Sequence, residues 1–296
     1  MDVSKELDKI IQSDHHDPFQ VLGFHPIPEA PQSVVVRTFQ PHAESVRLLI
    51  GDSKIDMHKM REKGFFEAVT DYFEPFEYLF EITSYNNVTR IIHDPYRFPP
   101  QLNDFDMHLF RQGTHYKIYN KLGAHIVTID NCKGTIFRVW APSARRVSIL
   151  GDFNYWDGRV HQMRVLNESG IWELFIPGLE EPQVYKFEIR CQNMDILEKT
   201  DPYQFYAELR PKSASITWDI DTYEWHDNEW MEARSKTPPY DRPMSTYEVH
   251  LGSWRRDPEN KDRFLSFREL AATLVPYVKE MKFTHIQLLP VMEHPL

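Results

Sequence analysis

The chain has 296 residues, room for about two or three domains, and 41% of them are hydrophobic, which excludes a disordered protein. The formal net charge of −10 argues against nucleic acid or an anionic membrane as a partner, because both attract basic surfaces. The two cysteines, Cys132 and Cys191, are too few for a disulfide-stabilised secreted protein, so we expect a cytoplasmic location. Residues 1–17 lack the apolar stretch of a signal peptide, and no segment approaches the roughly 20 apolar residues of a membrane span.

The first hundred residues predict a short helix followed by β-strands. Val3, Leu7, Ile10 and Ile11 share one helical face. Runs of β-branched and aromatic residues, bounded by Gly and Pro, then predict strands at 34–39, 44–52, 64–69 and 77–82. Strands at this spacing favour a β-sandwich.

The chain repeats itself. RTFQPHAESV (37–46) aligns with RVWAPSARRV (138–147) at an offset of 101. EYLFEI (77–82) aligns with VYKFEI (184–189), and DPYRF (94–98) with DPYQF (201–205), at an offset of 107. Because several matches occur in order, we interpret them as a duplicated module of about 100 residues. The second copy predicts strands at 134–140, 145–153, 170–178 and 184–189.

The last third of the chain predicts a different architecture. Residues 212–243 have no clear periodicity; TPPYDRP (237–243) is typical of a linker, and the acidic stretch 224–234 is expected to cover a junction. A strand is predicted at 245–254. Ser266 and Glu269 form a capping-box pattern at the start of a helix that Pro276 bends. The apolar run 284–291 predicts a parallel strand buried on both faces.

The predicted fold is therefore mainly β: two tandem β-sandwich modules followed by the incomplete β-α-β start of a (β/α)₈ barrel, which needs about 250 residues. The expected domains are 1–118 (helix and first sandwich), 119–225 (second sandwich) and 226–296 (linker and barrel start).

Several motifs resemble bacterial glycogen (1,4-α-glucan) branching enzymes. They are DPFQVLGFHP (17–26), GDFNYWDGRVHQMR (151–164), STYEVHLGSWRR (245–256) and LVPYVKEMKFTHIQLLPVMEHPL (274–296). The resemblance implies two N-terminal modules, the second a glycogen-binding sandwich, before a catalytic barrel. It also implies transfer of α-1,4-glucan segments to a 6-hydroxyl through two carboxylic acids.

The family's catalytic acids follow later barrel strands than any in this chain, so no catalytic residue is assigned and the chain alone is expected to be inactive. The implied partner is an α-glucan such as glycogen or amylose; no cofactor, metal, nucleic acid or membrane is expected. Two alternatives stay open: a non-catalytic glucan-binding remnant, and a debranching or trehalose-releasing α-glucan hydrolase.

The resemblance also places candidate substrate-binding residues. Trp156 follows the Gly-Asp-Phe-Asn turn where glycogen-binding sandwiches carry a stacking Trp, and Lys186 matches a hydrogen-bonding position. Packing of Trp156 against the barrel is the alternative. The second stacking Trp of such modules is absent, because its place is taken by NMDILEK (193–199).

Expectations for several other residues follow from their places in the predicted elements. Glu293 and His294 follow the second barrel strand and either shape the glucan cleft or anchor a loop. His250 is expected to be a satisfied barrel residue within its strand. Trp140 and Trp172 are expected in the core. The neighbouring pair His15 and His16 is not expected to bind metal.

Overall fold

A computed structural model describes residues 3–28, 30–61, 64–71, 77–180, 182–238 and 240–291. The chain divides into two compact units, residues 1–222 and 223–296. Within the described ranges, every helix is too short or too polar to cross a bilayer.

The first module begins with the predicted helix, α1 (Val3–Ile11), and continues as eight strands. These are β1 (Gly23–Ile27), β2 (Ala30–Phe39), β3 (Ala43–Ile50), β4 (Ser53–Asp56), β5 (His58–Arg61), β6 (Phe65–Thr70), β7 (Leu79–Ser84) and β8 (Thr89–His93). Antiparallel pairing gives one sheet in the order β1-β2-β6-β5 and another in the order β4-β3-β7-β8. Both sheets contribute side chains to one core, exemplified by Val36 and Phe66 from the first and Leu48 and Phe80 from the second, so the module is a sandwich.

The second module repeats this plan after a linking helix, α2 (Asp104–Arg111). Its strands are β9 (Gly123–Ile129), β10 (Cys132–Trp140), β11 (Ala144–Gly151), β12 (Arg164–Val165), β13 (Ile171–Pro177), β14 (Val184–Cys191), β15 (Ile196–Lys199), β16 (Tyr206–Ala207) and β17 (Ser215–Ile216). One sheet has the order β12-β13-β10-β9; the other has the order β11-β14-β17-β16, with β15 also paired to β14. Phe137 and Leu174 from one sheet share a core with Ile149 and Phe187 from the other.

The duplication extends to individual bonds. A buried Tyr78 hydroxyl donates to Asp94 at 2.7 Å, and Tyr185 donates to Asp201 at 2.6 Å, at the sequence offset of the repeat. Gly23 and Gly123 occupy matching positions with φ of 90° and 98°. A Cβ at Gly23 would lie 2.8 Å from the Tyr96 carbonyl oxygen, so both the backbone conformation and the space require glycine there.

Helix α1 joins the two modules. Leu7, Ile10 and Ile11 lie in the same buried cluster as Phe39 of the first module and Met163 of the second. The Gln162 side-chain amide, buried in the second module, donates to the Ile10 carbonyl oxygen at 2.9 Å. The turn after α1 is held as well, because the buried Arg146 guanidinium donates to the Ser13 carbonyl oxygen at 2.9 Å. The amphipathic helix is therefore an internal part of residues 1–222.

The second unit contains α3 (Asn228–Ser235), β18 (Thr246–Val249), α4 (Leu251–Trp254), α5 (Phe267–Glu280) and β19 (His285–Leu288). Strands β18 and β19 are parallel, with Thr246 opposite His285 and Val249 opposite Leu288. The predicted capping box is present: the Ser266 hydroxyl accepts from the Glu269 amide, and the Glu269 carboxylate accepts from the Ser266 amide at 2.7 Å. A β-α-β unit is thus formed.

One expectation for this unit is wrong. The strand predicted over 245–254 ends at Val249, and residues 251–254 form α4, because the Ser253 and Trp254 amides turn back to bond the His250 carbonyl oxygen. Ile286 and Leu288 of β19 are 38% and 46% exposed, as expected of a β-α-β unit, which cannot bury both faces of its strands alone.

The two tryptophans expected in the core differ. Trp172 is buried, and its indole donates to the Ala141 carbonyl oxygen at 3.0 Å, as predicted. Trp140 is 53% exposed, so that prediction is wrong. It is the last residue of β10, where the alternation turns its ring outward against the edge of Phe110, 5.8 Å between centroids.

Candidate functional site

Trp156 lies on a tight turn that follows β11. Residues 152–154 make one 3₁₀ turn, and Tyr155 and Trp156 then both take left-handed backbone conformations, with φ of 58° and 57°. Large side chains rarely adopt this region, so the surrounding contacts must enforce it. The buried Asn154 side chain supplies them: its amide donates to the Ile149 carbonyl oxygen at 2.7 Å, and its oxygen accepts from the Gly151 amide at 3.0 Å.

The indole of Trp156 is both fixed and accessible. Its Nε1 donates to Asp152 Oδ1 at 2.7 Å, while 38% of the residue stays exposed. Because the nitrogen is already bonded within the turn, the rest of the ring is available to an apolar or CH-rich ligand face without a further loss of rotamer freedom. A stacking platform needs this combination.

Lys186 is on the same face of the second sheet as this turn. Lys186 lies on β14, opposite Leu150 of β11. It shares its face of the strand with Glu188, two residues further along β14. Gly158 packs directly on Glu188, since a Cβ there would lie 2.1 Å from Glu188 Oε1. The Trp156 turn therefore covers this face, and the Lys186 ammonium, 3.7 Å from Glu198 on β15, lies on it as well.

The hairpin between β14 and β15 carries no aromatic side chain. Residues 193–199 instead expose Met194, Ile196 and Leu197 by 49%, 50% and 42%. These side chains can contact a ligand through apolar surface, but they lack the flat ring that a sugar face stacks on. The surface formed by the turn at residues 152–158 and this hairpin therefore has Trp156 as its single tryptophan.

The charges behind the turn are fixed near neutral pH. Burial would raise the pKa of Asp157, but hydrogen bonds from Arg159 outweigh it and hold that pKa below its usual value. Burial, with a smaller contribution from the Arg90 charge, lowers the pKa of His161 to about 3. His161 is therefore neutral, and its Nδ1 can accept from the Asn154 amide, 3.0 Å away.

The remaining candidates fall outside this surface. Glu293 and His294 lie outside the described residues, so their expected role stays a prediction. His250, expected within a strand, instead precedes α4, with Nδ1 3.1 Å from the Ser253 hydroxyl.

The histidine pair near the N-terminus has ordinary partners. The buried His15 ring lies 2.9 Å from Glu6 and accepts from the Asp17 amide at 3.0 Å, and it stacks on His16. Among the described residues, no group of three or more His, Cys, Asp and Glu side chains is arranged to hold a metal ion.

Asn154 and Tyr155 were not singled out from the sequence. Asn154 holds the turn together, and Tyr155 is 64% exposed beside Trp156. A signal was present in the motif Gly-Asp-Phe-Asn-Tyr-Trp, because Asn between a strand-ending Gly and two aromatics is typical of a side chain that bonds the local backbone.

Two family models match the chain, one for each module. Residues 3–96 match the N-terminal domain of the alpha-1,4-glucan branching enzyme GlgB. Residues 121–204 match carbohydrate-binding module 48, the isoamylase N-terminal domain, and this range includes both Trp156 and Lys186. Together with the fold, these matches define the class: an N-terminal domain of a glucan-active enzyme followed by a carbohydrate-binding module.

Curated relatives extend the likeness to the second unit. The chain is 49% identical to the 1,4-alpha-glucan branching enzyme GlgB of Thermosynechococcus vestitus over 100% of its own length and 42% of that protein. It is 46% identical to the GlgB of Synechocystis sp. over 98% of its length and 41% of the relative, and 46% identical to that of Cellvibrio japonicus over 99% and 41%. The chain thus spans about two-fifths of these relatives and is similar, over nearly its whole length, to a portion of the GlgB branching enzymes.

Among solved structures, the type I pullulanase of Bacillus subtilis, complexed with maltose, has a TM-score of 0.44 and 20% identity over 93% of this chain and 38% of that one. This likeness is too distant to support a fold or ligand assignment.

Proposed function

We propose that this chain is the glucan-binding N-terminal portion of a 1,4-α-glucan branching enzyme, which transfers α-1,4-glucan segments to a 6-hydroxyl to make α-1,6 branches. The names of the relatives support branching over debranching or trehalose release. The single observation that supports glucan binding is the Trp156 ring, exposed and fixed by Asp152 on the same sheet face as Lys186.

The chemistry of the surface suits an α-glucan. A glucose ring presents a CH-rich face that packs on an indole, and its hydroxyls accept hydrogen bonds from an ammonium such as that of Lys186. The chain's net charge of −10 is no obstacle, because a glucan is uncharged. The exposed side chains of Met194 and Ile196 on the neighbouring hairpin add apolar surface without a second ring.

The predicted domain boundaries, 1–118, 119–225 and 226–296, are part of this proposal. The β-α-β unit made by β18, α5 and β19 is proposed to be the start of a (β/α)₈ barrel. Its parallel strand pair supports this assignment, as does the exposed apolar surface of Ile286 and Leu288, which neighbouring barrel elements would cover. Glu293 and His294 would then lie at the face where barrel active sites form.

Glycogen binding tests the role of Trp156. Native gel electrophoresis of the 296-residue chain through glycogen should show retardation, and Trp156→Asn should weaken the affinity about tenfold, since a central aromatic anchor dominates binding. Asparagine is chosen because it tolerates the left-handed backbone at this position. Trp225→Asn, at a tryptophan that is 70% exposed, is the matched control and should bind normally. Equal retardation of the chain and Trp156→Asn would contradict the proposal.

An activity assay tests whether the catalytic acids are absent from residues 1–296. Because no catalytic acid is assigned within residues 1–296, the purified chain should leave the iodine-stained absorbance of amylose at the level of the blank. A time-dependent fall in that absorbance would show that this chain contains the catalytic acids.

A further inference from the structure

Tyr155 stands beside Trp156 on the same rigid turn and faces the first module. It is 64% exposed, and the His42 ring of the first module meets it edge to face, 5.1 Å between centroids and 70° between planes. His42 Nε2 in turn lies 3.0 Å from Asp157 Oδ2. The first module therefore holds both residues that flank Trp156.

Two clefts lie along the seam between the modules, and the Tyr155 ring lines one of them. One, with a volume of about 40 Å³, is lined by His42, Ser84, Arg90 and Tyr155, among others. The other, with a volume of about 190 Å³, is lined by Arg90, His161 and apolar side chains of both modules. Gln40, Arg90 and Val160 line both clefts, and we call the two clefts together the seam depression.

Arg90 supplies unused hydrogen-bond donors to this depression. It lies on β8 opposite Ile82 and is exposed. Within the described ranges its side chain has no hydrogen bond or ion pair, whereas Arg37 and Arg47 of the same module are paired with Glu67 and Glu81. A guanidinium with free donors beside an exposed aromatic ring is a combination that binds a sugar: the ring takes the CH face, and the guanidinium takes hydroxyl oxygens.

We propose that the seam is a second α-glucan subsite, in which Tyr155 stacks a glucose ring next to the one on Trp156 and Arg90 of the first module binds its hydroxyls. This rests on the proposed glucan binding at Trp156. It supplies, from the residue next to Trp156, the second aromatic platform that residues 193–199 lack. The first module then takes part in glucan recognition.

Chain-length dependence of binding tests the subsite. The 296-residue chain should bind maltoheptaose more tightly than maltotriose, because only the longer oligosaccharide covers both rings. Tyr155→Asn, which tolerates the left-handed backbone, should weaken maltoheptaose binding about tenfold and maltotriose binding much less. Tyr155→Phe should bind normally. Tyr116→Asn, at a tyrosine that is 86% exposed and outside the seam, is the matched control.

Arg90→Gln is the second, independent variant, because it lies in the other module and alters no buried contact of the turn. It should weaken maltoheptaose binding several-fold, while Arg111→Gln on α2 should not. If Trp156→Asn weakens binding but Tyr155→Asn and Arg90→Gln do not, the seam subsite is overturned and the proposed function stands. If the unaltered chain binds neither oligosaccharide, both are overturned.

Discussion

At the scale of single residues, the repeated Tyr-Asp bonds are the clearest product of the duplication. In each module a buried tyrosine hydroxyl donates to a buried aspartate, and the other oxygen of that aspartate accepts a backbone amide, from Tyr96 in one case and Tyr203 in the other. Burial raises the pKa of Asp94 to about 6 and that of Asp201 to about 6, although the hydrogen bonds oppose the shift. Each carboxyl is thus buried and hydrogen-bonded to groups of its own module.

These aspartates should make stability fall as pH rises. A folded-state pKa above the unfolded value of about 4 means that the native state binds the proton more tightly. The contribution is therefore complete below pH 4 and is lost as pH rises through 6, on the order of 2–3 kcal/mol for each aspartate. The free energy of urea unfolding of the unaltered chain, minus that of Asp94→Asn, should decrease between pH 4 and pH 7.

Taking the difference between two proteins cancels the other titrating groups, and Asp195→Asn, on an exposed hairpin, serves as the control for the substitution itself. At pH 4 Asp94→Asn should be close to the unaltered chain in stability, because a protonated carboxyl and an amide both offer one acceptor to the Tyr96 amide and one donor to the Tyr78 hydroxyl oxygen. A difference that is constant from pH 4 to pH 7 would contradict the assignment.

At the scale of elements, local pattern predicted the long strands of both sandwiches and two of the helices. The eight strands predicted in the two copies all form, and α1 and α5 begin where their apolar faces and capping box place them. Helix α2 was not predicted, because it has eight residues and only Met107 among its apolar side chains is fully buried, so periodicity had little to act on. The outward turn of Trp140 depends on where β10 ends, and tertiary contacts set that boundary.

The candidate site was only partly predictable. Resemblance of the Gly-Asp-Phe-Asn motif to glycogen-binding sandwiches indicated Trp156, but the bond from its indole to Asp152 and the shared face with Lys186 depend on the folded turn. The seam was invisible in the sequence, because His42 and Asp157 lie 115 residues apart. Only the packing of one module on the other brings them together.

At the scale of the whole molecule, residues 1–222 are stabilised as one body through α1. Ile10 is fully buried in a cluster that includes side chains of both modules. Truncating it leaves a cavity that neither sandwich can fill alone, so Ile10→Ala should lower the free energy of unfolding by about 2–5 kcal/mol.

The loss should be the same whether unfolding is followed by a probe in the first or in the second module, since both contribute to the cavity wall. Ile91→Ala, at an isoleucine that is 57% exposed on β8, should change stability by less than about 1 kcal/mol. Destabilisation confined to one module would count against a shared core.

The position of α1 between the two modules has a consequence for folding during synthesis. The Ile10 carbonyl oxygen bonds to Gln162, 152 residues later in the chain. At a synthesis rate of roughly 5–20 residues per second, the apolar face of α1 waits on the order of 10–30 s before its last partners leave the ribosome. During that interval the apolar face of α1 is exposed on the nascent chain. We expect chaperones that bind nascent chains at the ribosomal exit tunnel to bind this helix.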